Sequence, residues 1–385
     1  MPGARVDNRA DKFPRAHVRA ARRRARRAVS ICLLLVAFSL ILVTPPPAHV
    51  QTQSRPRKVS GDARPSATPE QQGQSQAVDD DEVVKVDSSE VLLPVTVRDA
   101  MGGLVRELTK NDFRVWEDER PQPLSDLSLR RVPVDVLLMV DASSSVAASF
   151  EDFRRAAEQF AARLAPEDRF GLLKFDDKVE LLLDWTQSRA QLRRALARVA
   201  PGVFTRFNDA LYLAAREQFR KGQRRHAAIV LSDGIDSGRG HASLENSLRA
   251  LLESQVTVYV ISNTRIERAR KRAELDSILA GTPSTIRFNE LKIGDLREGL
   301  RVLDQSEHNL GQLASATGGR LYRPDDFNAL EGIYAEVAEE LRHQYALYYT
   351  PLNTTRDGSF RRVRVEMTNP AHRATTRVGY FAPRK

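Results

Sequence analysis

Five side chains in this 385-residue chain combine types and spacing that suit metal binding. Asp141 directly follows a strongly apolar run, and Ser143 and Ser145 alternate behind it. Thr205 precedes a predicted helix, and Asp233 follows a second apolar run. All five offer hard oxygen donors, which suit Mg²⁺, Mn²⁺ or Ca²⁺ and disfavour zinc and copper. Because two carboxylates balance one divalent cation, the residues predict a metal site.

Sequence signals of the common enzyme classes are missing. The chain contains no G-x-S-x-G, H-E-x-x-H, Walker A or G-x-G-x-x-G motif. Ser143 and Ser145 have no histidine near them in the pattern, and Cys32, the one cysteine, lies in an apolar run near the N-terminus. This cysteine count excludes a disulfide, and it leaves the rest of the chain without a thiolate metal site or a cysteine nucleophile. We therefore expect no enzymatic activity.

Apolar strands and amphipathic helices alternate through the middle of the chain. Strands are predicted at residues 134–140, 170–175, 179–183, 227–231 and 256–261. Helices are predicted at residues 150–164, 188–199, 209–220, 243–253, near 310–317 and at 326–340. This rhythm predicts an α/β fold with a doubly wound, mostly parallel sheet covered on both faces. In such folds ligands bind beyond the carboxyl ends of the strands, where the oxygen donors stand.

Three separated motifs carry a family resemblance. They are D-x-S-x-S at 141–145, a threonine ahead of D-A-L at 209–211, and S-D-G-x-D at 232–236. In this order they resemble the von Willebrand factor type A domain, over roughly residues 132–343. The resemblance implies a Rossmann-like fold with a metal-ion-dependent adhesion site. The matching ligands are Asp141, Ser143, Ser145, Thr205 and Asp233, some acting through water, with a position left open for a carboxylate of a protein partner.

One loop departs from the family pattern. Residues 201–205 read Pro-Gly-Val-Phe-Thr, where the family usually has two glycines before the threonine. The departure implies a stiffer loop or a displaced Thr205, so a degenerate site with a structural role stays open beside a metal-competent one. We interpret Asp209 as a charge at a helix N-terminus rather than as a ligand.

The basic charge of the chain belongs to its N-terminus. Residues 1–27 hold ten Lys and Arg and two Asp, so only +2 of the net +10 falls on the remaining residues. Nucleic acid is therefore not an expected partner. The arginine cluster precedes sixteen uncharged residues, 28–43, which is typical of an export segment with its N-terminus inside. Sixteen helical residues span about 24 Å against a bilayer core of about 30 Å, so a retained membrane anchor and a cleaved signal peptide both stay open.

Five segments follow from the composition of the chain. Residues 1–50 form the basic N-terminus with the export segment, and residues 51–82 are too polar to fold and form a linker. Short β-prone runs at 83–131 and 344–385 predict the two parts of a small antiparallel β module, with residues 132–343 inserted between them. Pro94 predicts an edge strand or a bulge. These flanks resemble bacterial exported proteins called VWFA-related, which are common in Acidobacteria.

An unusually long connection follows the strand predicted at 256–261. Residues 264–307 replace a loop for which about six residues would be ordinary, and they leave the sheet at the edge predicted to bind metal. The insert begins with a basic run: Arg265, Arg268, Arg270, Lys271 and Arg272. This run predicts either a solvated helix face or a flank that selects acidic partners.

Together these features predict an exported, metal-dependent protein-binding module of the adhesion type. It faces the periplasm or the extracellular side if the segment 28–43 is retained, and it is secreted if that segment is cleaved. Two alternatives stay open: a metal-independent type A scaffold within an envelope complex, and an enzyme.

Overall fold

The computed structural model describes residues 90–128, 132–143, 150–219 and 224–384. The predicted export segment, the linker, the first of the β-prone residues (83–86) and Ser145 of the candidate site lie outside the described residues. Within the described ranges, no helix combines the length and the apolar character needed to cross a bilayer.

Strands and helices alternate along most of the chain. The strands are β1 (Val91–Arg98), β2 (Phe113–Glu117), β3 (Arg120–Gln122), β4 (Leu124–Ser128), β5 (Val134–Asp141), β6 (Arg169–Phe175), β7 (Val179–Thr186), β8 (Arg225–Ser232), β9 (Val256–Ser262), β10 (Leu321–Tyr322), β11 (Tyr345–Tyr349), β12 (Phe360–Met367), β13 (Arg373–Thr375) and β14 (Gly379–Phe381). The α-helices are α1 (Phe150–Arg163), α2 (Arg189–Leu196), α3 (Phe207–Leu213), α4 (Leu244–Glu253), α5 (Thr264–Leu279), α6 (Pro283–Phe288), α7 (Glu290–Ala316) and α8 (Leu330–His343).

A six-stranded sheet forms the centre of the α/β part. Its strand order is β10-β9-β8-β5-β6-β7, and every neighbouring pair is parallel except β6 with β7. The predicted doubly wound, mostly parallel sheet is therefore confirmed. Strands β5 and β8 lie in the middle and are buried along their whole length, which explains why they read as continuous apolar runs.

Alternate residues of β5 pack into two separate cores. Val136 and Leu138 belong to the cluster of buried side chains that includes Phe153 of α1, whereas Leu137 and Met139 belong to a second cluster on the other face of the sheet. That second cluster contains side chains of α3, α4 and α7. The period-two alternation of side chains along a strand thus covers both faces of the sheet with helices.

The β-prone runs at the two ends of the chain pair with each other, as their pattern predicts. Two antiparallel four-stranded sheets result, with the orders β13-β1-β11-β4 and β14-β12-β2-β3. Strand β1 pairs with β11 and strand β2 pairs with β12, so each sheet joins residues more than 200 positions apart. Both sheets contribute to one shared apolar core, which makes this part of the protein a β-sandwich.

Pro94 does not lie on an edge strand, because β1 has a partner on each side. It is opposite Ala346 of β11, but β13 pairs only with residues Thr96 to Arg98 of β1. Strand β13 is too short to reach Pro94, so the missing N–H of the proline breaks no ladder hydrogen bond on that side.

Helix α7 is much longer than the helix predicted near residues 310–317. It runs for 27 residues because the insert is helical and continues into the helix that packs on the sheet. Helices α5 and α7 therefore form an antiparallel hairpin with a small core of its own, Leu275, Ile293 and Leu296. Helix α3 is shorter than the helix predicted at 209–220, since a π-helical turn follows it at Ala214–Gln218.

Truncation after His343 is expected to cause aggregation. The truncation removes β11 to β14, which leaves β1 without either of its partners and β2 without β12. Apolar strands with an unpaired edge form hydrogen bonds with strands of other molecules, which leads to aggregation. Light scattering and size exclusion of an 83–343 fragment, compared with the chain extended to 385, measure this. A soluble, monomeric fragment with an unchanged melting transition would show instead that the α/β part is independent of the sandwich.

Candidate metal site

The candidate ligands lie at the carboxyl edge of the six-stranded sheet. Strand β5 ends at Asp141, and its neighbour β8 ends at Ser232. Since Val140 is opposite Leu231 and the strands are parallel, these two ends meet. In the next strand, β9, Ser262 is opposite Ser232. A row of polar side chains therefore follows three adjacent apolar strands.

Asp141 is fully buried and accepts hydrogen bonds from Ser143 and Ser232. Its Oδ1 accepts from the backbone N–H of Ser143 at 2.9 Å, and its Oδ2 accepts from the Ser232 hydroxyl at 2.7 Å. Burial, with the nearby charge of Asp233, raises the pKa of Asp141 to about 7. The hydrogen bonds oppose this rise but do not cancel it. The environment of the Asp141 carboxylate therefore favours the binding of a cation.

Asp233 is positioned through its own turn and through helix α7. Its Oδ1 accepts from the N–H of Ile235 at 3.0 Å, and its carbonyl accepts from the Ser306 hydroxyl of α7 at 2.5 Å. Gly234 follows with φ +71°, and a Cβ there would lie 2.7 Å from a methyl carbon of Leu310. The turn after Asp233 therefore needs a glycine both for its backbone conformation and for the close approach of α7.

Thr205 is held by a reciprocal pair of hydrogen bonds. Its N–H donates to Ser237 Oγ at 2.8 Å, and its carbonyl accepts from the Ser237 N–H at 2.9 Å. Earlier in the same loop, the Gly202 N–H donates to the Ala142 carbonyl at 2.7 Å. A Cβ on Gly202 would lie 2.6 Å from the Asp176 carboxyl group. The loop that departs from the family pattern thus packs closely against the end of β5.

The structure brings four of the five candidate ligands to one edge. Asp141, Ser143, Thr205 and Asp233 are all buried there, and Ser145 lies outside the described residues. The assignment of all five as ligands stays a prediction.

Asp209 holds a neighbouring loop, and its interpretation as a helix charge rather than a ligand stays a prediction. It lies in the first turn of α3, and its Oδ1 accepts from the N–H groups of His241 and Ala242, at 2.8 Å each. Its Oδ2 accepts from Arg206. Burial alone would raise the pKa of Asp209, but these hydrogen bonds outweigh it and lower the pKa. Asp209 therefore clamps the 241–242 loop onto α3.

The donor set fits a hard divalent cation with few acidic ligands. Among the residues that the structure describes, no group of three or more His, Cys, Asp or Glu could hold a metal ion. The candidate set instead combines two carboxylates, close enough for Asp233 to raise the pKa of Asp141, with neutral hydroxyls. Oxygen ligands alone match Mg²⁺ or Mn²⁺ better than a site rich in His and Cys would.

Three serines support the site, in roles that the motifs did not predict. Ser232 bridges two parts of it, since its hydroxyl donates to Asp141 and accepts from the Gly234 N–H at 2.9 Å. Ser237 holds Thr205, and Ser306 holds the backbone of Asp233. Ser232 lies within the S-D-G-x-D motif and Ser237 directly follows it, so their closeness in sequence to Asp233 could have indicated their roles. Ser306 is 73 residues away, and only packing reveals it.

The hairpin of α5 and α7 starts at the same edge, because α5 follows β9 directly. Three members of its basic run form ion pairs within the chain. Arg265 pairs with Asp325, Arg268 with Asp304 and Glu307, and Arg270 with Glu267. These pairs reduce the positive charge that the run offers to a partner. At the far end of the hairpin, the side chains of Phe288 and Leu291 are 90% and 86% exposed.

One segment of the α/β part matches a known family. Residues 136–235 match the sequence profile of the von Willebrand factor type A domain. These residues belong to a type A domain. The match includes every candidate ligand of the site. Type A domains generally mediate protein–protein interaction.

One curated relative shows low identity to the chain over a longer stretch. The chain is 22% identical over 237 residues to a UPF0353 protein of Mycobacterium avium, and this alignment covers 58% of the chain and 65% of the relative. The chain thus spans less than two thirds of the length of that curated relative. Whether the flanks belong to the VWFA-related group stays a prediction.

Several solved structures resemble part of the chain at low identity. Proximal thread matrix protein 1 of the mussel byssus is 18% identical, with a TM-score of 0.41 over 58% of this chain and 50% of that one. A second structure of the mussel protein is described as having a zinc-occupied MIDAS motif (17% identity, TM-score 0.40, covering 58% of this chain and 49% of that one). The protein BatB of Bacteroides thetaiotaomicron is 18% identical, with a TM-score of 0.38 over 54% of this chain and 98% of that one.

Proposed function

We propose that the type A domain binds a protein partner through a divalent cation. The proposed ligands of this cation are Asp141, Ser143, Ser145, Thr205 and Asp233. The partner supplies an Asp or Glu carboxylate to the open coordination position. We further propose that Mg²⁺ or Mn²⁺ is the physiological ion and that the domain works outside the cytoplasm.

The pair of buried carboxylates supports this proposal. Asp141 has no exposed surface, and Asp233 is only 8% exposed. An ionised carboxylate in such a place is costly unless a proton or a cation compensates it. The raised pKa of Asp141 reflects the free-energy cost of ionising this buried carboxylate in the metal-free protein. A bound cation would offset the cost of burying this charge. The hydrogen bonds to Asp141 already orient its carboxylate.

The hydroxyl ligands explain why such a site would select acidic partners. Ser143 and Thr205 stay neutral, so the protein contributes only the two charges of Asp141 and Asp233. A bound divalent cation then supplies an electron-poor centre to which a further carboxylate can bind. A third fixed acid from the chain would compete with that carboxylate, and the structure describes none within the candidate set.

The direct test is partner capture with and without the metal. Immobilised protein is exposed to an envelope extract in Mn²⁺, in Mg²⁺ and in EDTA, and isothermal calorimetry measures metal binding in parallel. We expect capture to require metal and to be lost in Asp141→Ala. Equal capture in EDTA, or calorimetry without Mg²⁺ or Mn²⁺ binding, would favour the metal-independent scaffold. Turnover of any substrate would favour an enzyme.

Export of the domain is a second part of the proposal and has a separate test. Positive flanks resist translocation, so the arginine cluster within residues 1–27 should stay inside and residue 51 onward should be outside. A reporter fused after Lys385 that is active only outside the cytoplasm would support this orientation. Activity of a reporter that works only in the cytoplasm would contradict it.

Deletion of the outer hairpin is expected to change partner binding but not stability. Replacing residues 272–298 by a short glycine linker joins Lys271 to Gly299, which face each other, since a Cβ on Gly299 would lie 3.3 Å from Lys271 Cδ. The deleted part contains all three buried residues of the hairpin core, and only Leu300 of the side chains packed against them remains. We therefore expect the free energy of unfolding to change by less than about 1 kcal/mol. Urea unfolding measures this, and collapse of the fold would contradict it.

A further inference from the structure

A cavity of about 260 Å³ borders the turn that follows Asp233 and the start of α3, which follows Thr205. Its lining is mostly apolar and comes from α3, the turn after Asp233, the start of α4, and α7. The apolar contacts are made by Phe207, Ile235, Leu244, Val302 and Leu310. This volume is below the roughly 300–1,000 Å³ of sites for small organic ligands. The cavity has the size and the lining to take one apolar side chain.

The segments that line the cavity are the segments that position the metal ligands. Phe207 begins α3 two residues after Thr205, and Ile235 donates its N–H to the Asp233 carboxylate. On the α7 side, Ser306 lines the cavity and also holds the Asp233 carbonyl. A ligand bound to the metal site would therefore have this cavity as its immediate neighbour.

Polar groups at the cavity suit a peptide backbone. Asn208, Gln305 and Asn309 contribute amide side chains to its lining, and each retains some exposure to solvent. Gln305 and Asn309 share one hydrogen bond of 3.0 Å, which uses one donor and one acceptor and leaves further groups of both amides available. An apolar pocket bordered by such amides can hold a side chain and bind the adjacent peptide groups.

We infer that the cavity selects partners that carry an apolar side chain close in sequence to the metal-binding carboxylate. This inference rests on the proposed function. The occupant is a segment of a protein partner in which an Asp or Glu lies within three residues of a leucine-sized or larger apolar residue. The carboxylate completes the metal shell, and the apolar side chain fills the space between Ile235 and Val302. Acidic segments without that neighbour bind more weakly.

The expected gain follows from apolar burial. Each buried methylene strengthens binding about fourfold. A leucine has three more carbon atoms than an alanine, so even partial burial of its side chain should strengthen binding at least fivefold.

The test uses labelled peptides and the full chain in saturating Mn²⁺. Each blocked peptide has one Asp in a Gly-Ser background and one Leu placed one, two or three residues before or after it. Its matched controls have Ala in place of Leu, or Asn in place of Asp. Fluorescence anisotropy measures the affinity, and calorimetry measures Mn²⁺ binding separately. We expect at least one Leu peptide to bind fivefold or more tightly than its Ala control, and its Asn control to lose binding.

Two variants locate the effect in the cavity. Val302 is 38% exposed on α7 and is not a proposed metal ligand. Val302→Trp fills the cavity, and Val302→Glu places a charge in its lining. Both should remove the preference for Leu over Ala while Mn²⁺ affinity stays unchanged.

The outcomes separate this inference from the proposed function. If Leu and Ala peptides bind within twofold of each other at every spacing, yet still require Asp and Mn²⁺, the cavity has no such role and metal-dependent capture stands. A Leu preference that persists in both Val302 variants also overturns the inference. Absence of Mn²⁺ binding to the unchanged protein overturns the proposed function, and the inference with it.

Discussion

Asp141→Asn is expected to abolish metal binding and, at the same time, to stabilise the metal-free protein. The variant removes one of two acidic ligands and half of the balancing charge, so Mn²⁺ and Mg²⁺ should no longer bind. It also removes a buried negative charge whose pKa is raised from 3.8 to about 7. At pH 8 that charge costs the metal-free native state on the order of 4 kcal/mol, at about 1.4 kcal/mol for each pKa unit.

The pH dependence of stability provides a second readout. Between about pH 4 and pH 7, the native metal-free protein holds a proton on Asp141 that the unfolded chain has lost. The contribution of Asp141 to the free energy of unfolding is therefore greatest at low pH, and it is lost as the pH rises from about 4 to about 7. Asp141→Asn should lose this slope. Metal binding displaces the same proton, so metal affinity of the unchanged protein should fall up to tenfold for each pH unit below about 7.

Calorimetry and thermal unfolding with and without Mn²⁺ measure these effects. At about 100 times its dissociation constant, the metal should stabilise the unchanged protein by about 2.7 kcal/mol and Asp141→Asn not at all. Asp209→Asn is the matched control, because Asp209 is a buried carboxylate near the same edge whose role is to hold backbone N–H groups. That control should lose some stability but keep its metal affinity. Equal Mn²⁺ affinity in Asp141→Asn and the unchanged protein would contradict the assignment of Asp141 as a ligand.

Glu117→Ala is expected to destabilise the protein by about 3–5 kcal/mol. Glu117 is buried in the sandwich and accepts from the hydroxyls of Tyr349 and Tyr380 at 2.7 Å each. Arg361, also buried, donates to its other oxygen at 3.3 Å. Burial raises the pKa of both tyrosines, so they remain hydrogen-bond donors at neutral pH. Removal of the Glu117 carboxylate leaves the buried Arg361 guanidinium and the hydroxyls of Tyr349 and Tyr380 without this hydrogen-bond acceptor.

Urea unfolding measures the loss, and an exposed pair provides the control. Glu119 and Arg364 lie 3.4 Å apart on the surface of the same part of the protein. Because exposed ion pairs contribute little, Glu119→Ala should cost less than about 1 kcal/mol. A similar small loss in Glu117→Ala would show that the buried network rearranges and finds other partners.

The order of strands and helices could be predicted largely from local pattern. The continuous apolar runs of β5 and β8 signal strands that are buried on both faces, and the polar residues at their ends signal the ligand edge. The position of Asp209 in a first helical turn also follows from local pattern. Its hydrogen-bond donors His241 and Ala242, however, lie more than 30 residues away, so the loop it holds has no local signal.

Predictions failed where distant packing decides the outcome. The insert contains helical sequence, but only contact between α5 and α7 shows that one 27-residue helix continues from it onto the sheet. Pro94 tolerates a central strand because β13, almost 280 residues later, is too short to reach it. Neither fact has a local sequence signal.

The sequence by itself indicated the type A domain, the candidate oxygen donors and the pairing of β-prone ends, because each depends on residue type, spacing and strand pattern. Only the tertiary structure decided how that site is supported and what lies beside it. Ser306 reaches the Asp233 carbonyl from α7, and Leu310 packs against the backbone of Gly234. The apolar cavity exists because these distant segments meet at the strand ends. Burial of Asp141, which raises its pKa, is likewise a property of the assembled fold and not of the residue or its neighbours in sequence.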